Sequence, residues 1–347
     1  MSIVCVDPLI DPRWGQLSSS RPSCVFSSPA WLAVLAETYG LELRAFIKLD
    51  DCGQPRAGVP FSRISDAIGE RIVSLPFSDY CDPIVTDPAD WQRLSDAMVA
   101  ESCPVTVRCL HNRLPLADPR FPVMKVARWH AVDVRPELQT LWRALHESSK
   151  RAIRKAQRCG VMVRPASGED ELRIFHTMHV KLRKYKYGLL AQPYAFFASI
   201  WRQFVQKGNG QLLLAICQDR IVGGVMLLDW QHATYYKFNA SIAEDLGHRP
   251  NDLLMWESIK YARQKNAACL DLGLSDWDQE GLIRYKMKVA TEAGVISFLQ
   301  CSPDSDEVAQ QDAARAVLGR LTRSFTAASV PDNVSGMAGE LLYRFLA

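Results

Sequence analysis

The residues best able to do chemistry form two groups. The first lies between Arg143 and Lys186, where twelve Lys and Arg stand against four carboxylates, Glu147, Glu169, Asp170 and Glu171. The whole 347-residue chain carries a net charge of only +3. A focused positive field attracts phosphate, and arginine meets phosphate through a planar fork. Within Ser149-Lys150-Arg151-Ala152-Ile153-Arg154-Lys155-Ala156, the pairs Lys150/Arg154 and Arg151/Lys155 are spaced i,i+4 and share helix faces. Like charges at that spacing repel unless an anion lies between them. For any one of these residues a solvated helix face is an adequate reading. The cluster as a whole points to an anionic ligand.

The second group is Asp271-Leu272-Gly273-Leu274-Ser275-Asp276, followed by Gly281-Leu282-Ile283-Arg284-Tyr285-Lys286. A strand that ends in a Gly-containing turn and leads to a lysine-bearing helix places polar groups where ligands gather. Lys286 can set a cation beside a developing oxyanion. Its alternative is a surface lysine of an amphipathic helix, equivalent to Lys288. Asp276 and Asp79 are carboxylates that can accept a proton. Tyr80, Tyr236, Asn251 and Ser275 complete the pocket candidates.

Other chemistries are excluded by what is missing. His176 and His179 have helical i,i+3 spacing, but no matched Cys or carboxylate completes a metal motif. There is no GxSxG and no P-loop. Of ten cysteines at scattered spacings, with no CxxC, most read as reduced core residues, and Cys81 falls in a loop-like segment. With 48% hydrophobic and 23% charged residues the chain is an ordinary soluble one. The small net charge argues against a global nucleic-acid binder, and DNA is not an expected partner. No apolar run reaches membrane-spanning length. Asp7 and Asp11 interrupt any signal-peptide core, so the cytoplasm is the expected compartment. A peripheral contact at the inner membrane face, through the basic stretch and Arg315, Arg320 and Arg323, is a further expectation.

The elements that must position these residues alternate. Ser28-Pro29 opens a helix that stops at Gly40. Strands are expected over 41–49, 56–64, 105–110 and 126–134, with a short apolar run at 72–75 and a helix over 90–101. Pro76 to Pro83 reads as a loop of special geometry. In the second half one helix is expected over 138–158, and others over 169–185, 193–206, 251–265 and 282–288. Strands are expected over 161–164, 211–217, 221–230, 234–240, 269–272 and 295–300, and the segment beyond is helical with a break near Val330-Pro331. Gly223-Gly224 marks a bulge or a close packing point in a strand.

Taken in order, these segments form a recognisable series: Lys150-Arg151-x-x-Arg154-Lys155-Ala156-x-x-x-Gly160, Leu182-Arg183-x-x-x-Gly188, Pro250-Asn251-x-Leu253-Leu254-x-Trp256, Asp271-x-Gly273-x-Ser275-Asp276, and Gly281-Leu282-x-Arg284-Tyr285-Lys286. The series resembles the FemAB-like group of the GNAT superfamily, also described as BioF2-like acetyltransferase domains. Ser28-Pro29-x-Trp31, Gly58-x-Pro60, Leu75-Pro76-Phe77-Ser78-Asp79-Tyr80 and Gly339-Glu340-Leu341-Leu342-Tyr343-Arg344 extend the resemblance over nearly the whole chain. It implies an α/β (α+β) fold of two tandem GNAT-like domains, each a mixed, mainly antiparallel sheet flanked by helices. Their expected extents are 1–136 and 137–302, with a helical tail over 303–347 packed on them.

The resemblance also implies an activity, the transfer of an acyl group, acetyl or aminoacyl, to an amine of a cell-envelope or exopolysaccharide precursor. No tightly bound cofactor is implied. The acyl donor is a co-substrate, either acyl-CoA or aminoacyl-tRNA, and the acceptor is a phosphate-bearing small molecule or lipid-linked species. Lys286 takes the place of the lysine that supports transfer, and Arg154 and Arg183 fall on basic motif positions that meet phosphate. Tyr285 stands where the family has Phe. The expected phosphate loop reads Leu246-Gly247-His248-Arg249-Pro250-Asn251-Asp252, with one Gly and a Pro that lacks an N–H. That departure motivates the alternative of a non-catalytic GNAT-like module that binds a nucleotide-sugar or lipid-pyrophosphate.

Overall fold

In a computed structural model the described residues are 2–66, 69–302 and 305–346. They contain twelve strands: β1 (Ile3–Val6), β2 (Glu42–Leu49), β3 (Pro55–Asp66), β4 (Gly69–Val73), β5 (Val105–Cys109), β6 (Val123–Asp133), β7 (Met162–Pro165), β8 (Gly210–Cys217), β9 (Arg220–Trp230), β10 (Ala233–Ser241), β11 (Cys269–Ser275) and β12 (Glu292–Cys301). The chain packs as two compact units, one of Met1–Ala127, Val295–Leu321 and Arg344–Ala347, the other of Arg128–Gly294 and Thr322–Tyr343. Each combines a mainly antiparallel sheet with helices, the α/β architecture expected.

In the first unit β1, β2, β3 and β4 pair antiparallel in sequence order, β4 pairs parallel with β5, and β5 pairs antiparallel with residues 297–301 of β12. Its helices Pro12–Ser20, Pro29–Tyr39 and Pro88–Val99 start alike. Asp11, Ser28 and Asp87 each accept a backbone N–H from the first turn, and a proline follows where its missing N–H costs nothing. Gly40 closes the second of these in the left-handed conformation. β1 and the Pro12–Ser20 helix lie ahead of the first element that the sequence pattern suggested. Trp91, Leu94 and Met98 pack on Phe46, Phe61, Ile72 and Val107 to form a core. Beneath it the Lys48 ammonium is buried against Asp90, which also accepts from Arg56.

In the second unit β7, β8, β9 and β10 pair antiparallel, β10 pairs parallel with β11, and β11 pairs antiparallel with residues 128–133 of β6. Helices cover both faces of this sheet. A Cβ on Gly223 would meet Leu254, whereas one on Gly224 would meet Phe175 at 2.9 Å. Consecutive strand residues point to opposite faces, so each glycine admits a different helix. One face carries an aliphatic core with the helices Glu147–Arg158 and Pro250–Gln264. On the other, Phe175, Phe196, Phe197 and Phe238 meet edge to face.

One expected helix is broken and two others run on into π turns. The one over 138–158 is two, Leu138–Ala144 and Glu147–Arg158, because Leu145 turns extended and is buried while His146 Nδ1 caps Ser148 N–H at 3.1 Å. The helix Glu169–Leu182 runs into a π turn, Arg183–Tyr187, that ends at left-handed Gly188. Tyr194–Ile200 continues likewise into the π turn Trp201–Val205. Near the C-terminus the helices Ser305–Phe325 and Asp332–Leu342 flank the expected break. Lys184 anchors the second through Asp332 at 2.8 Å and through the Val330 carbonyl. Gly339 lies so close to Ala191 that a Cβ would overlap its carbonyl oxygen. Gly339→Ala is therefore expected to destabilise the protein by about 1–3 kcal/mol through overpacking, read as a lower urea midpoint; an unchanged midpoint contradicts this packing.

Candidate functional site

The site grows from a place where two strands part. β10 and β11 pair parallel through Ala233 with Cys269, Thr234 with Leu270 and Tyr235 with Asp271. The pairing then stops, although β10 continues to Ser241 and β11 to Ser275. Both strands are irregular just there. β10 slips against β9 between Tyr236 and Phe238, and β11 slips against β6 between Asp271 and Leu274.

The β11 irregularity is a bulge. Leu272 and Gly273 together oppose the single residue His130. Gly273 adopts φ +70°, and its N–H donates to Asp271 Oδ1 at 2.6 Å. The bulge is held by a charge. Lys286 Nζ, on the helix Glu280–Met287, donates to the Gly273 and Leu274 carbonyls at 2.9 Å each. The lysine is only 6% exposed, so it is an internal cation and not the surface residue that its helix suggests. Ser275 follows on the strand and is fully buried. Asp276 is half-buried, with its N–H directed to Gln279 Oε1 at 3.3 Å. Lys286, Ser275 and Asp276 are thus brought together at the end of β11.

Tyr236 and Asn251 gather beside them. Tyr236 is the first β10 residue past the last parallel pair. Asn251 opens the helix Pro250–Gln264, and its Oδ1 accepts from Ser241 Oγ while its carbonyl accepts from the Tyr285 hydroxyl at 3.0 Å. Burial, with Asp252 nearby, pushes both tyrosine hydroxyls above their ordinary range. Burial also raises the Asp252 carboxyl, against the pull of Arg249 and Lys288. A small recess lined by Leu145, Ile153, Asp252, Trp256, Tyr285 and Val289 lies against this group.

The basic cluster divides in the fold. Lys150 is tied to Glu147 and the Arg143 carbonyl, Arg164 to Glu171 and Lys184 to Asp332. Arg183 Nε donates to the Leu190 carbonyl at 3.0 Å. Arg151, Arg154, Lys155 and Arg158 remain exposed on one helix, with the Arg154 guanidinium over Trp142. Asp79 and Tyr80 belong to the first unit. There Leu75 and Phe77 hold left-handed φ values of 61° and 59°, the special geometry expected of that loop. Tyr80 is buried edge-on against Phe26. Asp79 lies beside Arg108, whose guanidinium burial lowers to about 10.

Cys81 is fully buried, and burial pushes its thiol well above the ordinary value, so it is not a poised nucleophile. The Nε2 atoms of His176 and His179 both turn to Gln192, at 3.0 and 2.7 Å. Among the described residues no cluster of His, Cys, Asp or Glu could hold a metal, and no helix is long and apolar enough to cross a membrane. Sequence reasoning missed His130 and Asp252. The first reads as an ordinary strand residue, and the second is marked only by its place in the first turn after Pro250.

Residues 143–287 match the family model described as an acetyltransferase (GNAT) domain. Comparison with curated proteins gives no match. Among solved structures the fold is similar to FemX, with a TM-score of 0.63 and 13% identity over 86% of this chain and 97% of that one. It is similar to the C-terminal domain of a putative lysylphosphatidylglycerol synthetase from Agrobacterium fabrum, with TM-score 0.56 and 11% identity over 88% and 95%. A tandem GNAT protein from the clavulanic acid biosynthesis pathway gives 0.56 and 10% over 87% and 98%. Residues 143–287 thus match a GNAT domain, and the fold of the chain is similar to that of these structures. The FemAB-like resemblance of its motifs fits these neighbours.

The histidines of this unit give the protein a pH signature. Burial lowers His179 to about 3 and also lowers His176 and His130. Below the ordinary value of 6.5 the unfolded chain takes up protons that the folded one refuses. Stability is thus expected to fall as pH drops from 6.5 toward 3, and His179→Gln to flatten that slope, read from urea midpoints across the range. An equally steep slope in the variant contradicts the assignment.

Proposed function

We propose that the protein is an N-acyltransferase that moves an acyl group, acetyl or aminoacyl, from an activated donor to an amine of a cell-envelope or exopolysaccharide precursor. The observation that carries the reading is the parting of β10 and β11 with the Lys286 cation fixed at its edge, inside a GNAT domain. A carbonyl between the strands would develop negative charge as the amine adds. A buried, pre-oriented cation stabilises that charge without reorganisation. Holding both reactants there converts a bimolecular encounter into an oriented one. Asp276 orients the amine.

The donor is an acyl-CoA or an aminoacyl-tRNA, and phosphate contacts come from Arg151 and Arg154 on the exposed basic helix. The turn before the helix Pro250–Gln264 supplies fewer donors, since Pro250 has no N–H and the Asp252 carboxyl takes its own. The likeness to a lysylphosphatidylglycerol synthetase domain supports a phosphate-bearing or lipid-linked acceptor. We further propose that the protein works at the inner face of a membrane. That weak helix turn is also what favours the second reading, a module that binds a nucleotide-sugar or lipid-pyrophosphate without turnover.

Thiol release from acetyl-CoA and amide formation from aminoacyl-tRNA, each with a panel of primary amines, test the reading. Lys286→Met is expected to fold and to lose about 10²-fold or more in kcat. A folded Lys286→Met with the full transfer rate removes the lysine's role. Binding of UDP-sugars with no turnover on any donor favours the module.

A further inference from the structure

The bulge in β11 has a geometric consequence. Directly opposed residues of an antiparallel pair share a sheet face, and successive residues alternate. Leu270 opposes Val132, Asp271 opposes Ala131, and Ser275 opposes Arg128. On β6, Arg128, His130 and Val132 are two apart and lie on one face. Ser275 therefore shares the face of Leu270 and His130, which a regular strand would deny it, and Asp271 is left on the other. The same face carries Val132, Leu270 and Leu272 into the aliphatic core.

Two polar atoms on this apolar face have no partner. His130 Nδ1 is buried in a residue 2% exposed, and Ser275 Oγ in one with no exposure at all. Buried polar groups are nearly always bonded, so two orphans at diagonal positions of one sheet face mark a place for a third party with hydrogen-bonding capacity. Burial and the charges of Lys286 and Arg128 lower His130, so its ring is neutral at pH 7. Ser275 is the last residue of β11, and Arg128 carries the exposed Trp277 ring 4.0 Å away.

We propose that His130 and Ser275 hold the attacking nitrogen of the acyl acceptor, a primary amine, with His130 taking its proton. The proposal rests on the acyl-transfer reading above. The amine lone pair forms the new C–N bond, and the carbonyl π pair moves to oxygen. The nitrogen becomes acidic and passes one proton to Nδ1. The carbonyl re-forms, and the bond to the thioester sulfur or ester oxygen breaks. That atom then takes the proton from the imidazolium. Acyl donor and amine become amide and free thiol or alcohol, with no other reactant. Ser275 Oγ accepts the second N–H and so aims the lone pair.

The experiment uses the full chain with whichever donor and amine the wild type turns over. His130→Gln is expected to lower kcat about 10²- to 10⁴-fold, to leave the donor KM unchanged and to abolish the acid limb of the pH profile. Ser275→Ala is expected to raise the amine KM with little change in melting temperature. A folded His130→Gln that keeps its kcat and its acid limb overturns the proposal. Should that variant fail to fold, ring ¹⁵N spectra of the wild type titrated with glycinamide decide: a shifted His130 Nδ1 supports the site, and an unmoved one overturns it. A wild type inactive with every donor sinks the acyl-transfer reading instead, and the glycinamide titration still decides the nitrogen site.

Discussion

One ammonium group shapes the end of β11. A bulge takes carbonyls out of the regular ladder, and buried carbonyls need donors. A buried ammonium needs acceptors just as strongly. Lys286 and the Gly273–Leu274 carbonyls meet both requirements at once. The cation is thereby held in the interior, and the extra residue turns Ser275 onto the face of His130. Only a residue tolerant of positive φ makes that turn without strain, and Gly273 occupies it.

The rest of the second unit keeps this end in place. β6 grips β11 on one side and β9 grips β10 on the other, so the two central strands part without either coming loose. The helices on the aliphatic face are fixed by their apolar stripe, and Tyr285 ties the Lys286 helix to the start of the helix Pro250–Gln264. Edge-to-face aromatic packing backs the opposite face. A rigid frame around a local irregularity is what a transfer site needs, since reacting groups must be oriented before the reaction begins.

Much of the frame was legible because its signals are local. Ser28-Pro29 and Gly40 mark their helix ends by side-chain and backbone chemistry alone. The turn at Gln218-Asp219, both in left-handed conformation, was visible as a polar break between apolar runs. The lysine at 286 was legible as a candidate, but its burial was not, because its acceptors are backbone atoms of another segment. The β11 bulge has no local signature beyond one glycine, since register is set by the partner strand β6. The basic cluster looked like a single field because a charge count does not show which side chains pair, as Lys150 does with Glu147, Arg164 with Glu171 and Lys184 with Asp332. His130 gave no signal because its neighbour on the sheet face, Ser275, comes from a strand far along the chain.

Amide hydrogen exchange over the segment from Asp271 to Asp276, compared between wild type and Lys286→Met, tests most directly whether the ammonium holds this strand end. The account predicts faster exchange confined to that segment, with the Gly273 N–H released from Asp271 and the rest of β11 still protected. Unchanged protection there would show that the bulge stands without the lysine, and would contradict the account.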